Sequence, residues 1–244
     1  MQSLKKIIVI VLTWEARAVL VRAKPKIIAV TGSVGKTTTK DAIFAVLSPH
    51  LHVRKSDKSF NSDIGVPLAI LGLENGWHDP IIWITNIFRG LALAMFPKDY
   101  PRWLVLEVGA DRPGDIKKIA RWLRPDIAVI TAVPEIPVHV EFFDSPKAVL
   151  REKRSLAEHL KPGGTLVVNG DDPHLSDLRS DFRGITITFG LEDHMIFLPR
   201  MMTSSTTLDI LREFDFVSIM PAHPFRSKSL AHSDLPAFTR RSRP

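Results

Sequence analysis

Lys26–Lys40 reads KIIAVTGSVGKTTTK, and its order of residue types decides the fold. A β-branched apolar run (Ile27, Ile28, Val30) meets Thr31-Gly32-Ser33-Val34-Gly35-Lys36-Thr37-Thr38, and a helical pattern follows from Asp41 to Leu47. Strand, glycine turn and helix make an anion-binding device. The turn aims backbone N–H groups inward, and the helix N-terminus adds partial positive charge. Lys36 can reach the β- and γ-phosphates of a nucleotide, and the Thr37 hydroxyl can ligate Mg²⁺. The commonest phosphate-loop spacing places a glycine five residues before Gly35, where Val30 stands; Gly32, three before it, gives a shorter T-G-x-x-G-K-T form. The bland alternative is a glycine turn with an incidental lysine. The three threonines after Lys36 and the strand context favour the nucleotide.

The remaining chain fits one substantial α/β core. Its 244 residues are 45% hydrophobic, enough to bury a core of one to one and a half domains. There is no cysteine, which removes disulfides and thiolate metal sites and suits a reducing cytoplasm. The net charge of +7 suggests nucleic acid until it is located. It sits in residues 1–26 and 195–244, and no basic stripe interleaved with aromatics marks the body, so nucleic-acid binding is not expected.

Residues 1–24, MQSLKKIIVIVLTWEARAVLVRAK, hold an apolar run too short to span a bilayer and no signal-cleavage site. We expect an amphipathic helix, packed on the domain or lying on an anionic membrane surface. Residues 81–96, IIWITNIFRGLALAMF, read as a core or interface helix. WLVLEV (103–108) and IAVIT (127–131) read as buried parallel strands with a helix over 115–123 between them, and 166–169 and 185–189 as two more. Strands alternating with helices predict a doubly wound, mostly parallel sheet with ligands at the strand C-termini.

Chemistry-bearing residues fall at those ends. Glu107 closes WLVLEV and is followed by Gly109-Ala110-Asp111; a carboxylate facing a phosphate loop is a suitable Mg²⁺ ligand. His139 follows the IAVIT strand, where a second metal would lie. Fourteen residues on, Lys153 sits on a helix expected from Pro146 to Leu160.

In this order TGSVGKTTTK, NSDIGVPL, LEVGADRPGDI, HVEFF with its lysine at that interval, and VVNGDDP resemble the Mur ligase family over residues 25–194, its central ATP-binding domain. The resemblance implies that Lys36, with the loop Thr31–Thr38, holds ATP. It implies that Thr37, Glu107, His139 and Lys153 hold Mg²⁺, with Lys153 carbamylated. Lys36, His139 and Lys153 are then the catalytic residues. Asn61 is assigned to the substrate side, and Asn169 with Asp171 or Asp172 to the nucleotide side. The implied activity is ATP-dependent amide-bond formation through an acyl-phosphate in peptidoglycan precursor synthesis, in the cytoplasm. Its partners are a UDP-sugar peptide and an amino acid or dipeptide, with at most peripheral membrane contact. The alternative is a nucleotide-binding fragment without turnover, since about 25 residues precede the loop and nothing after 194 resembles the family's closing domain.

Residues 195–244 contain none of the chain's 13 glycines but four of its six methionines. A globular stretch of this length holds three or four glycines at ~7% usage. The same codons read one frame over permit an apolar–acidic alternation and an alanine-rich helix. This segment is therefore expected to be a poorly structured tail, a frameshift product.

Overall fold

The computed structural model describes residues 2–57, 60–133, 143, 145–190 and 197–198. Along the chain come α1 (Gln2–Ala23), β1 (Lys26–Thr31), α2 (Lys36–Leu47), β2 (Val53–Lys55), α3 (Gly65–Leu71), α4 (Pro80–Met95) and β3 (Trp103–Glu107). Then follow α5 (Asp115–Leu123), β4 (Ile127–Ile130), α6 (Pro146–Glu158), β5 (Thr165–Asn169), a 3₁₀ turn (Pro173–Leu175), α7 (Ser176–Asp181), β6 (Ile185–Phe189) and β7 (Phe197–Leu198). The strands form one sheet in the order β2-β3-β1-β4-β5-β6-β7, parallel except for β7, which pairs antiparallel with β6.

The order explains where a ligand belongs. The chain leaves β1 for the edge strand β2, returns to β3, and then crosses to β4 on the far side of β1. That reversal opens a crevice at the carboxyl ends of β1, β3 and β4. The pairing Val30↔Glu107 brings the last residue of β3 level with the start of the loop after β1. All five residues of β3 are buried, as are the last five of β1, consistent with a parallel strand covered on both faces.

Local chemistry sets the helix starts. Asp79 caps α4 by accepting from Ile81 N (2.8 Å), with Pro80 at the first helical position. Ser145 does the same for α6 through Ala148 N (3.2 Å). Helix α5 starts after Gly114 with no cap of its own. Instead Glu152 of α6 accepts from Gly114 N (2.7 Å), Ile116 N (2.6 Å) and Lys117 N (3.3 Å). A carboxylate there satisfies orphan donors and sits favourably at the positive end of the helix.

Two expectations change in detail. Helix α4 is present, but it buries only Asn86, Gly90 and Ala94, so it is a covering helix rather than a core one. Helix α1 buries Leu12, Glu15, Ala16 and Val19, yet its other side is also largely apolar. The tail expected from residue 195 lies outside the described residues except for Phe197 and Leu198, which join the sheet.

Candidate functional site

Helix α2 begins at Gly35, whose φ of 83° is left-handed and which offers no side-chain cap. Its first N–H groups therefore face the crevice, the arrangement that binds anions. Gly32 (φ 149°) passes so close to Thr131 that a Cβ would overlap the threonine hydroxyl. Thr131 in turn holds the loop by donating to Val34 O (2.6 Å), and Ser33 N donates to Ala132 O (2.7 Å). The Ser33 hydroxyl is buried without a partner among the described residues. An orphaned donor inside a ring of N–H groups fits a phosphate oxygen.

Glu107 is the hub of the site. It is buried, and both of its oxygens are engaged: Thr37 Oγ1 donates to Oε2 (2.8 Å) and Asn61 Nδ2 donates to Oε1 (3.0 Å). Three residues singled out from three separate motifs thus meet at one carboxylate. Two supporting residues escaped the sequence reading. Ser56 Oγ accepts from Glu107 N (2.9 Å), and Ser56 O accepts from the buried Lys40 Nζ (2.8 Å). Lys40 belongs to the quoted TTTK, but nothing in its spacing tells a buried lysine from a solvated one.

Mg²⁺ fits this hub. Mg²⁺ takes hard oxygen ligands, and the Thr37 hydroxyl and the Glu107 carboxylate stand side by side, hydrogen-bonded at 2.8 Å. Among the described residues no three His, Asp or Glu side chains cluster as a metal cage. Mg²⁺ needs none, since it takes one or two protein oxygens with phosphates and water completing its shell. His139 lies outside the described residues.

Lys36, Asn61, Asp111 and Lys153 line one cavity with the loop residues Gly32 and Ser33. Lys36 Nζ donates back to Ser33 O (3.2 Å). Burial lowers the Lys36 pKa, opposed by the carboxylate of Glu107. Lys153, on α6, is 5% exposed, and its amine is pushed down to about 8. Burial is the main cause and the Lys36 charge adds to it, while Glu152 and Asp111 oppose it. Asn169 and Asp172 do not line this cavity. Asn169 Oδ1 accepts from Asp171 N (3.0 Å), and the Asp172 carboxylate clamps Val133 N (2.7 Å) and His174 N (2.9 Å) at the ends of β4 and β5.

A parallel sheet with a glycine loop, an uncapped helix start and a carboxylate–hydroxyl pair at the next strand end defines a phosphate-loop nucleotide-binding domain. The comparisons go further. The Mur ligase middle domain matches residues 89–220, and the chain belongs to the Mur ligase family. UDP-N-acetylmuramoyl-tripeptide–D-alanyl-D-alanine ligase of Bacillus subtilis is 34% identical over 165 residues, 68% of this chain and 30% of that protein. The enzyme of the same name from Synechocystis is 34% identical over 167 residues, 68% of this chain and 31% of that one. Among solved structures, MurF ligase from Thermotoga maritima in complex with ADP aligns with a TM-score of 0.60 at 30% identity, covering 76% of this chain and 37% of that one. MurF from Acinetobacter baumannii, at 24% identity and TM-score 0.58, covers 73% and 34% and shares the fold. The chain spans about a third of the length of these relatives.

Proposed function

We propose that this chain binds MgATP and performs the phosphoryl-transfer half of an ATP-dependent amide-bond-forming ligation in peptidoglycan precursor synthesis, in the cytoplasm. The carrying observation is the convergence of Thr37, Asn61 and Glu107 beside a cavity that also holds Lys36 and Lys153. By its relatives' names, the acceptor is a UDP-N-acetylmuramoyl-tripeptide and the incoming amine is D-alanyl-D-alanine.

In the first step an acceptor carboxylate oxygen attacks the γ-phosphorus. The bond to the β–γ bridging oxygen breaks, ADP leaves and an acyl-phosphate remains. In the second, the amine attacks the acyl carbon, phosphate departs, and the amine's surplus proton passes to a base or to water. Charge grows on phosphoryl oxygens and then on the acyl oxygen, and preorganised cations are worth most in a buried site. Lys36 and the N–H groups at the start of α2 supply that stabilisation from the chain. When bound, Mg²⁺ would neutralise the β- and γ-phosphate oxygens from the Thr37–Glu107 side.

Lys153 suits carbamylation because only a neutral amine attacks CO₂. The new N–C bond forms, a proton leaves to solvent, and a cation becomes an oxygen ligand. An amine titrating near 8 is free base often enough at neutral pH to react. His139 completes the proposed metal and catalytic set, with Asn169 and Asp172 on the nucleotide side. The span of about a third of the relatives favours a second reading, in which these residues bind nucleotide but turnover needs residues matching the other two thirds.

The test pairs ATP titration with a ligase assay on the wild-type chain and on Lys36→Ala. Loss of a charge-assisted phosphate contact should cost about 2 kcal/mol, or about thirtyfold in Kd. Unchanged affinity in that variant sinks the phosphate-loop assignment. Binding without ligation selects the second reading.

A further inference from the structure

Helices α1 and α4 lie side by side and run the same way. Glu15 packs against Gly90, and seven residues on Arg22 Nη1 donates to Ala94 O (2.5 Å) and Met95 O (3.0 Å). Each helix keeps a second apolar stripe on the side it does not bury. On α1 this is Ile7, Ile10, Trp14 and Val21, with Trp14 60% exposed. On α4 it is Ile81, Ile84, Phe88, Leu91 and Met95, with Phe88 68% exposed. Both sets step by three, four or seven residues, the repeat of one helix face. A water-facing helix side is ordinarily polar, and contiguous exposed apolar surface marks an interaction site.

The charges choose the partner. Exposed Lys6, Arg17 and Arg22 flank the α1 stripe, and Arg89 is exposed on α4. Neither helix exposes an acidic residue, because Glu15, the only one in either, is buried. Apolar side chains with an exposed tryptophan, fringed by cations and free of anions, match the boundary of an anionic bilayer, where acyl chains meet negative headgroups. Among the described residues no helix is long and apolar enough to cross a membrane, so such contact is interfacial. We propose that the outer face of the α1–α4 pair seats the chain on an anionic lipid surface.

The experiment is flotation of the full 244-residue chain with vesicles of phosphatidylcholine mixed with phosphatidylglycerol, and with phosphatidylcholine alone. Binding to the anionic vesicles that weakens with salt, with a blue shift of tryptophan emission, is the expected result. Ile10→Glu and Phe88→Glu should each reduce partition at least about tenfold, and Arg17→Glu at least about fivefold. All three positions are exposed and outside the nucleotide site, so ATP affinity and melting serve as folding controls. Three outcomes overturn the proposal: no partition of the folded wild-type chain, equal partition to neutral vesicles, or no effect of the three substitutions. Concentration-dependent self-association abolished by Phe88→Glu, without vesicle binding, overturns it in favour of a second copy of the chain on this face.

Discussion

Glu107 has both carboxylate oxygens committed, one to Thr37 and one to Asn61, and the proposed metal would compete with Thr37 for the first. The isosteric change Glu107→Gln keeps the shape and removes the charge. It should therefore weaken nucleotide binding at least about tenfold, or about 1.4 kcal/mol, with Mg²⁺ present, and far less in EDTA. Equal losses in both conditions would mean that Glu107 is structural. Lys153 offers a pH test. Its amine is held near 8, below the ordinary 10.5, so the neutral, CO₂-reactive fraction rises as pH climbs through 8. A carbamate carbon resonance from ¹³C-bicarbonate should grow between pH 6.5 and 8.5 and be missing in Lys153→Arg; no resonance at pH 8.5 with ADP and Mg²⁺ present sinks the carbamate. The linked stability has a definite sign. Between about 8 and 10.5 the unfolded chain binds the proton that the folded chain has released. This group's contribution thus rises with pH through that window and is most unfavourable below it. Lys36, Thr37 and Glu107 were legible because a phosphate loop and a strand end have local signatures. Ser56 and Lys40 were not, because their work depends on which strand end they meet.

Glu15 sits where α1 and α4 touch, its Oε2 buried without a partner among the described residues and its pKa raised to about 7 by burial. The unfolded carboxyl keeps the ordinary 4.5. Between these values the folded chain holds a proton that the unfolded chain releases. Stability from this group therefore falls as pH rises from 4.5 to 7, and the full cost is present above 7. Glu15→Gln should raise Tm more at pH 8 than at pH 5; equal gains would show that the carboxylate finds a partner. At this scale the sequence was legible in kind but not in placement. The apolar run 81–96 is a helix, yet composition alone could not say that it covers the fold with one narrow edge. Likewise the resemblance pointed to Lys153, but not to its neighbour Glu152 as the cap of another helix. That pairing spans nearly forty residues and leaves no local trace.

For the whole molecule, alternating strands and helices specified the parallel sheet and the crevice at its carboxyl edge, and the strand order followed from neither composition nor period. Every described element ends within the compact unit Met1–Met201. A chain ended after Met201 should therefore melt cooperatively and keep its nucleotide response. Ligand at 100 times Kd adds about 2.7 kcal/mol, several degrees in Tm for a chain of this size. Loss of cooperative melting on that truncation would show that the last 43 residues belong to the core and would end the frameshift-tail proposal.

Adjacent residues of α6 carry opposite assignments: Glu152 is tied to the first turn of α5 by three N–H groups, and Lys153 lines the cavity with Lys36. They form a short lever with its pivot at residue 152. A shift of α5 toward or away from the nucleotide loop must carry the Lys153 amine with it, changing its distance from the Lys36 charge and hence its proton affinity. Because the Glu152 charge itself raises the Lys153 pKa, the lever is read with Glu152 kept. A ligand or substitution that moves α5 should displace the Lys153 titration without a lost fold, which makes that amine a built-in strain gauge for α5.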